Sequence, residues 1–493
     1  MSVKRFVRFL PLRGLAVLVW LPGCATIAYA LDPFGTGRSV SETPVAEMLG
    51  GEGDVCTFGE LPKPVKLKDA VERALCNHPK TRQAWVNVKI QAAAVGAARA
   101  AFLPTVTATW QGTRNNTVDH VTGYRQYDSN HRSTRHNASV SLSWVLYDFG
   151  GRSAALRDAT ELLVAARANQ QAVLQTAFSK VAKDFYAAQA AQASLAAARE
   201  IELAARSSAS AAAARADKGI AAISDQLQAQ TALADAIVNR TKAESDMKSA
   251  IGALATDMNL TPATEIVLPD VGEGVTANRE FSDSVTELIY LARRRYPGVL
   301  AAEAQVEAAK AKAARTRAEG LPRLSIVGQY NYNNQPTSLQ LGFAPLAATH
   351  REWYLGLQMT IPIFEGFART YQAKQADAQV ELQTYTLDET RQQTGLDVWN
   401  AYQALQSSMQ NLENSAELLS LAERSHDAAE HRYRMGAGSI LELLNVQSAL
   451  AGAKRQRIQA LTDWRSARLQ LAAKLGQIGM WSLASGEDSQ SFD

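Results

Sequence analysis

The chain carries one series of segments twice, so whatever it folds into must accommodate two copies of a single unit. The plainest copy is "ADKGIAAISDQLQAQTAL" (Ala216–Leu233) set against "RYRMGAGSILELLNVQSAL" (Arg432–Leu450). Gly219, Ile223, Leu227, Gln230, Ala232 and Leu233 recur as Gly436, Ile440, Leu444, Gln447, Ala449 and Leu450, 217 positions on. Upstream, "LKDAVERALCNHP" (Leu67–Pro79) aligns with "VTELIYLARRRYP" (Val285–Pro297), and "RAAFLP" (Arg99–Pro104) with "RAEGLP" (Arg317–Pro322). "LYDFGGR" (Leu146–Arg152) meets "IFEGFAR" (Ile363–Arg369).

Each unit reads as the same run of elements. Pro79 and Pro297 suit the first turn of a helix, where the missing N–H costs nothing. That helix runs to about Ala101 or Glu319 and stops at a Leu-Pro pair. Strict alternation follows. Val106, Ala108 and Trp110 alternate with threonines, and Ala138, Val140, Leu142, Trp144 and Leu146 alternate with Asn137, Ser139, Ser141 and Ser143. The second unit repeats this with Leu324, Ile326, Tyr330 and Tyr332, then with Trp353, Leu355, Leu357, Met359 and Ile361. Period two marks strands, and runs of about ten residues match tilted transmembrane strands. An ordinary half-buried soluble sheet is the competing reading. The polar stretches 113–136 and 333–351 read as loops.

A long helix then starts near Ser153 or Thr370 and continues to the glycine, roughly 65 residues and about 100 Å. Its inner stripe has 4-3 spacing: Leu174, Phe178, Val181, Phe185, Ala188, Gln192 and Leu195, matched from Val181 onward by Val398, Tyr402, Leu405, Met409 and Leu412. A return helix reaches about Met258 or Leu475. It and the helix after Pro79, stacked end to end, equal the long helix in length. The glycine is the reversal point at the far tip of this rod.

The net charge of +3 is no basic excess of the kind that would suggest nucleic acid. Lys4, Arg5, Arg8 and Arg13 precede an apolar stretch ending Ala28-Tyr29-Ala30, which reads as a signal peptide cleaved before Leu31. Processing before a lipid-bearing Cys24 is the alternative. Two cysteines remain, Cys56 and Cys76, in an exported chain; a disulfide is expected, with two buried thiols as the alternative. No later segment holds the roughly 18–20 consecutive apolar residues of a spanning helix, so a membrane crossing must use strands. Four strands cannot close a membrane barrel, so the chain must oligomerise.

These features together resemble the TolC family of outer-membrane channel proteins over nearly the whole mature chain. The duplicated plan, the turns "KGIAAISDQL" and "RYRMGAGSILELL", the Leu-Pro approaches to the strands and "YDFGGR" carry the likeness. "CTFGELPKPVKLKDAVERALCNHP" resembles the toxin-exporting type I secretion branch. The resemblance implies an α+β membrane protein: a long α-helical, coiled-coil-like barrel joined to a transmembrane β-barrel, four strands per protomer and twelve in the trimer. It implies a Gram-negative outer-membrane location with a periplasmic tunnel. The partners implied are a periplasmic membrane-fusion adaptor, an inner-membrane ABC transporter and an exported polypeptide.

The expected organisation is a signal peptide (1–30), an N-terminal periplasmic extension (31–66), a first repeat (67–260), a linker (261–284), a second repeat (285–477) and a flexible tail (478–493). By resemblance the constriction falls on Asp225, Glu442, Asn445 and the gating position Tyr433. Adaptor docking falls on Lys218, Gly219 and Ile220 with Met435, Gly436 and Ala437. The arginine that latches the closed turn in the family falls on Gly438, so the latch is not carried over. Solvated helix polarity is the competing account of Asp225 and Glu442.

No metalloprotease, Walker A, GxSxG or CxxC motif is present. "GAGSIL" resembles half a phosphate loop but follows a helix, not a strand. His120, His131 and His136 lack the spacing of a metal face. The expectation is a protein with no catalysis, cofactor or metal. It would be a passive outer-membrane conduit for type I secretion, with drug efflux as the alternative. An adhesive or structural surface oligomer is the reading from another class.

Overall fold

The computed structural model describes residues 32–45, 56–269, 284–337 and 346–476. The expected signal peptide with Cys24, most of the linker and the tail from 478 lie outside these residues.

The first half opens with two helices, α1 (Leu67–Asn77) and α2 (Pro79–Ala100). One residue separates them because His78 is extended, as a residue before proline must be, with φ −61° and ψ 132°. Its Nδ1 accepts from the Lys80 amide at 3.1 Å and so caps the restarted helix. Strands β1 (Thr105–Asp119) and β2 (Ser129–Tyr147) follow, then α3 (Gly151–Asp217) and the return helix α4 (Ile223–Asp257). The second half repeats the order: α5 (Val285–Arg295), α6 (Pro297–Ala318), β3 (Arg323–Asn333), β4 (His350–Thr360), α7 (Ala368–Arg434) and α8 (Ile440–Lys474). Both long helices have 67 residues, about 100 Å of rise.

The four strands form one antiparallel sheet in the order β1-β2-β3-β4, so the two halves join through β2 and β3. Directly opposed residues share a face. One face gathers Val106 with Leu142, Gly328 and Leu355, then Ala108 with Val140, Tyr330 and Trp353. The other gathers Thr107, Ser141, Gln329 and Tyr354, then Thr109 with Ser139 and Asn331. The hydroxyls of Thr109 and Ser139 lie 2.6 Å apart, and Tyr354 donates to Gln329 at 3.0 Å. The apolar face is open: Trp353 is 75% and Leu357 70% exposed. Among the described residues the outer edges of β1 and β4 have no strand beside them.

The reading of 113–136 as a loop needs correction. The β1–β2 ladder continues through Thr113↔Arg135 to Asp119↔Ser129, and the turn is confined to nine residues around a short 3-10 segment, Arg125–Tyr127. Beyond the apolar band polar residues occupy both faces, so this part of the ladder loses the period-two hydrophobicity that marks a strand in sequence.

At both corners where strand becomes long helix, two successive residues take left-handed backbone: Phe149 (φ 52°) with Gly150 (φ 90°), and Gly366 (φ 60°) with Phe367 (φ 64°). This is the structural content of "DFGGR" and "EGFAR". The corner is held by Arg152 paired with Asp148, and by its equivalent Arg369 paired with Glu365. Arg152 also donates to the Val145 carbonyl at 2.6 Å and the Leu146 carbonyl at 3.1 Å.

Against α3 pack α2 and α6 along its first half and α4 and α8 along its second. Leu174, Phe178, Val181, Phe185 and Ala188 are buried among α1 residues and the end of α4, forming the largest apolar cluster. Val398, Leu405 and Leu412 do the same with α5 and α8. Gln192 and Tyr402 are half-buried members of these stripes. Cys56 and Cys76 are bonded, with Cα atoms 5.6 Å apart, which ties the segment before α1 to this cluster. No described helix is long and apolar enough to cross a membrane.

Candidate functional site

The two helical reversals lie together at the end of the rod remote from the sheet. Gly219 (φ 71°) and Gly436 (φ 77°) supply the left-handed residue that ends α3 and α7. The same bonds close both ends. The Arg215 carbonyl accepts from Ile220 at 2.9 Å, and the Arg432 carbonyl accepts from Ala437 at 2.9 Å. A side chain at either glycine would meet open space, so the requirement is on the backbone alone. In the second turn Ser439 then caps α8, accepting from the Glu442 amide at 3.1 Å.

Lys218, Gly219, Ile220, Met435, Gly436 and Ala437 form the exposed tip. Ile220 and Met435 are 73% and 82% exposed, an apolar surface with nothing packed on it among the described residues. Tyr433 is different. It is buried in a cluster with Ala209, Ala212, Ala229, Ile440 and Leu443, drawn from α3, α4 and α8. The Arg215 guanidinium lies 4.3 Å from its ring centre and donates to its carbonyl at 2.8 Å. Arg215 thus ties the first turn to the second. Gln447 adds a second tie, donating to the Ser208 hydroxyl at 3.0 Å.

The two acidic positions differ. Glu442 pairs with Arg432 at 3.3 Å across its own turn. Asp225, its equivalent, is half-buried and has no ionic partner among the described residues, because Arg215 reaches across to Tyr433 instead. Asn445 is exposed on α8. At Gly438 an added Cβ would come within 3.1 Å of the Tyr433 amide nitrogen and 3.2 Å of the Arg432 Cβ, so this turn has no room for a latching side chain there.

Arg215 and Arg432 escaped the sequence reading, although each stands four residues before its glycine in both copies. Ser439 was also passed over, although Ser439-Ile-Leu-Glu442 is a capping-box pattern. The loop histidines have local roles: His120 bonds Asp128 at 2.7 Å and the His136 ring stacks 5.9 Å from Trp110.

The model of the outer membrane efflux protein family matches residues 70–259 and 288–477, one stretch in each half. The chain belongs to the outer membrane efflux protein family. Among relatives of this family, Protein CyaE of Bordetella pertussis is 31% identical over 476 residues, spanning 95% of this chain and 96% of that protein. The outer membrane efflux protein BepC of Brucella suis is 24% identical over 399 residues, 80% of this chain and 82% of its own. The crystal structure of the Campylobacter jejuni CmeC outer membrane channel shares the fold, with TM-score 0.71 over 90% of this chain and 96% of that chain at 16% identity.

Proposed function

We propose that three copies of this chain form an outer-membrane channel-tunnel that serves as the passive exit duct of a type I secretion system. The observation that carries this reading is the sheet. It has one apolar face, one hydroxyl and amide face, and two edge strands that are unpaired among the described residues. In a bilayer each unpaired backbone group costs several kcal/mol, so the edges must close. Joining β1 of one copy to β4 of the next gives twelve strands in three copies, with the apolar face to lipid and the Thr/Ser/Asn face to a wet lumen.

The helices then form a periplasmic tunnel about 100 Å long whose paired turns ring the inner opening. In this reading the exposed tip around Ile220 and Met435 meets a periplasmic adaptor, which links the tunnel to an inner-membrane ABC transporter. Transport energy comes from that pump. Three copies of Asp225 narrow and charge the opening, and Glu442 contributes less because Arg432 already offsets it. Tyr433 and Arg215 hold the two turns of each copy together.

Deletion of the chain in its own cell, followed by analysis of the culture medium, tests the reading. Loss of one exported polypeptide with unchanged drug tolerance supports secretion. Broad drug sensitivity with an intact set of exported proteins would move the chain to efflux, as the name of the Brucella relative suggests.

A further inference from the structure

The hairpin of β1 and β2 rises above the rest of the sheet. β2 pairs with β3 from Asn137 onward, so among the described residues Gly112–Asp119 and Ser129–His136 form a two-stranded ribbon with no third strand, joined past β3 by Asn334, which bonds His136 and Thr134. On the channel reading, this ribbon stands outside the membrane, since the helices occupy the opposite end of the strands.

Its two faces differ in charge. Register fixes which residues continue the lipid-facing side. Trp110, Ala138, Tyr332 and Arg351 stand in one line, the last line of the apolar face. Above it on the same side come His136, Arg114 and Arg132, opposite Gly112, Thr134 and Asn116. Three arginines and a histidine occupy this strip, and no described carboxylate shares it. The acidic groups nearby lie elsewhere: Asp119 and Glu352 are on the opposite face, and Asp128 is in the turn bonded to His120. Arg114, Arg132 and Arg351 are all exposed. Arg114 has no hydrogen-bond or ion-pair partner among the described residues. Arg132 reaches only Asn116, at 3.4 Å, and Arg351 rests 5.6 Å from the Tyr332 ring centre.

The strip begins level with the aromatic ring of Trp110 and Tyr332 and extends six residues up β1, about 20 Å of strand. Tryptophan and tyrosine mark the height of lipid headgroups. Cations pointing to the lipid side from that height outward meet whatever charge the outer leaflet presents. Guanidinium forks match phosphate geometry, and in this low-dielectric boundary their attraction is only partly screened.

We propose that Arg114, Arg132 and Arg351 form a docking strip for a phosphorylated glycolipid of the outer leaflet, with its phosphates on the guanidinium groups and its acyl chains along the apolar face below. The inference rests on the channel reading for the side of the sheet that faces lipid.

The test titrates detergent-solubilised oligomer with bisphosphorylated lipid A and, separately, with the same lipid after enzymatic dephosphorylation. Binding is read by native mass spectrometry. The wild type is expected to prefer the phosphorylated form. Each arginine should contribute about fivefold, so R114Q/R132Q/R351Q together should weaken binding roughly a hundredfold. Arg135→Gln, on the opposite face of the same ribbon, should leave binding unchanged. Equal binding of the two lipids, or equal binding by wild type and triple variant, would overturn the proposal; so would full displacement by millimolar inorganic phosphate. Single-channel current from the triple variant in phosphatidylcholine separates the two readings. A conducting variant with unaltered lipid binding sinks the docking strip and leaves the channel standing, whereas an oligomer without current sinks the channel.

Discussion

Lys180 on α3 bonds Asp257 at the end of α4, and the same joint in the second half is made by Asp397 and Lys474 with the charges exchanged. The positions correspond: Lys180 and Asp397, like Asp257 and Lys474, are 217 apart. What the joint between long helix and return helix requires is an ion pair, not a particular polarity. The polarities are not equivalent, however. Lys474 complements the negative end of its helix, while Asp257 opposes its own. Asp257 is also buried, has one oxygen without a hydrogen-bond partner among the described residues, and shares Lys180 with Asp184.

This arrangement predicts a pH dependence. Burial first, and then the nearby Asp184, push the Asp257 carboxyl up from 3.8 to about 6, against the lowering by Lys180. The folded protein therefore holds this proton where the unfolded chain has released it. The contribution is full below about pH 4 and is lost as pH rises through about 6. Asp257→Asn keeps the shape and removes the titration. Thermal midpoints measured from pH 4 to 7 should fall less steeply for the variant; parallel curves would rule out this assignment.

The mirrored joints predict that charge exchange is tolerated. Lys180→Asp alone gathers three carboxylates, and Asp257→Lys alone sets two cations against each other. The double variant K180D/D257K recreates the polarity of the second half. Its thermal midpoint should lie above that of either single variant, with a coupling of about 1 kcal/mol or more in the double-mutant cycle. Additive losses would show that the two side chains do not interact.

Arg215 joins the two turns through the Tyr433 carbonyl and ring. Arg215→Gln should loosen the tip while the large apolar cluster around Phe178 keeps its stability. Limited proteolysis should then cut between 217 and 222 or between 434 and 440 at least severalfold faster, with an unchanged thermal midpoint. Gly436→Ala acts through the backbone, costing about 1–2 kcal/mol for a left-handed alanine. It should raise cleavage at its own turn only.

The disulfide closes a loop of 20 positions beside the apolar cluster around Phe178. Reduction should lower stability by about 3 kcal/mol, from the greater freedom of the unfolded chain. Denaturant curves with and without reductant measure this, and the C56S variant should lose its sensitivity to reductant.

Much of the fold was legible because duplication shows each element twice. Pro79 and Pro297, the Leu-Pro pairs and the turn glycines fix boundaries through backbone rules that need no tertiary context. The strands were legible only where they carry the apolar band. Thr113–Asp119 and Ser129–His136 were invisible because polar residues occupy both faces, so no apolar alternation marks them. At the tip, the positions of Asp225 and Glu442 could be carried by resemblance. Their difference could not, since it depends on Arg215 turning to Tyr433 while Arg432 stays with Glu442. Which of two similar arginines crosses between turns is a tertiary choice. The burial of Tyr433 is likewise set by Ala209 and Ala212 on a helix more than two hundred residues away in sequence.

The central claim is that the assembled chain conducts through an opening charged by Asp225. Single-channel recording of purified oligomer in planar bilayers, with wild type beside Asp225→Asn and Glu442→Gln, addresses it most directly. The account predicts discrete current steps with cation preference, a clear loss of that preference in Asp225→Asn, and a smaller change in Glu442→Gln. An oligomer that inserts but passes no current, or a cation preference untouched by Asp225→Asn, would contradict it.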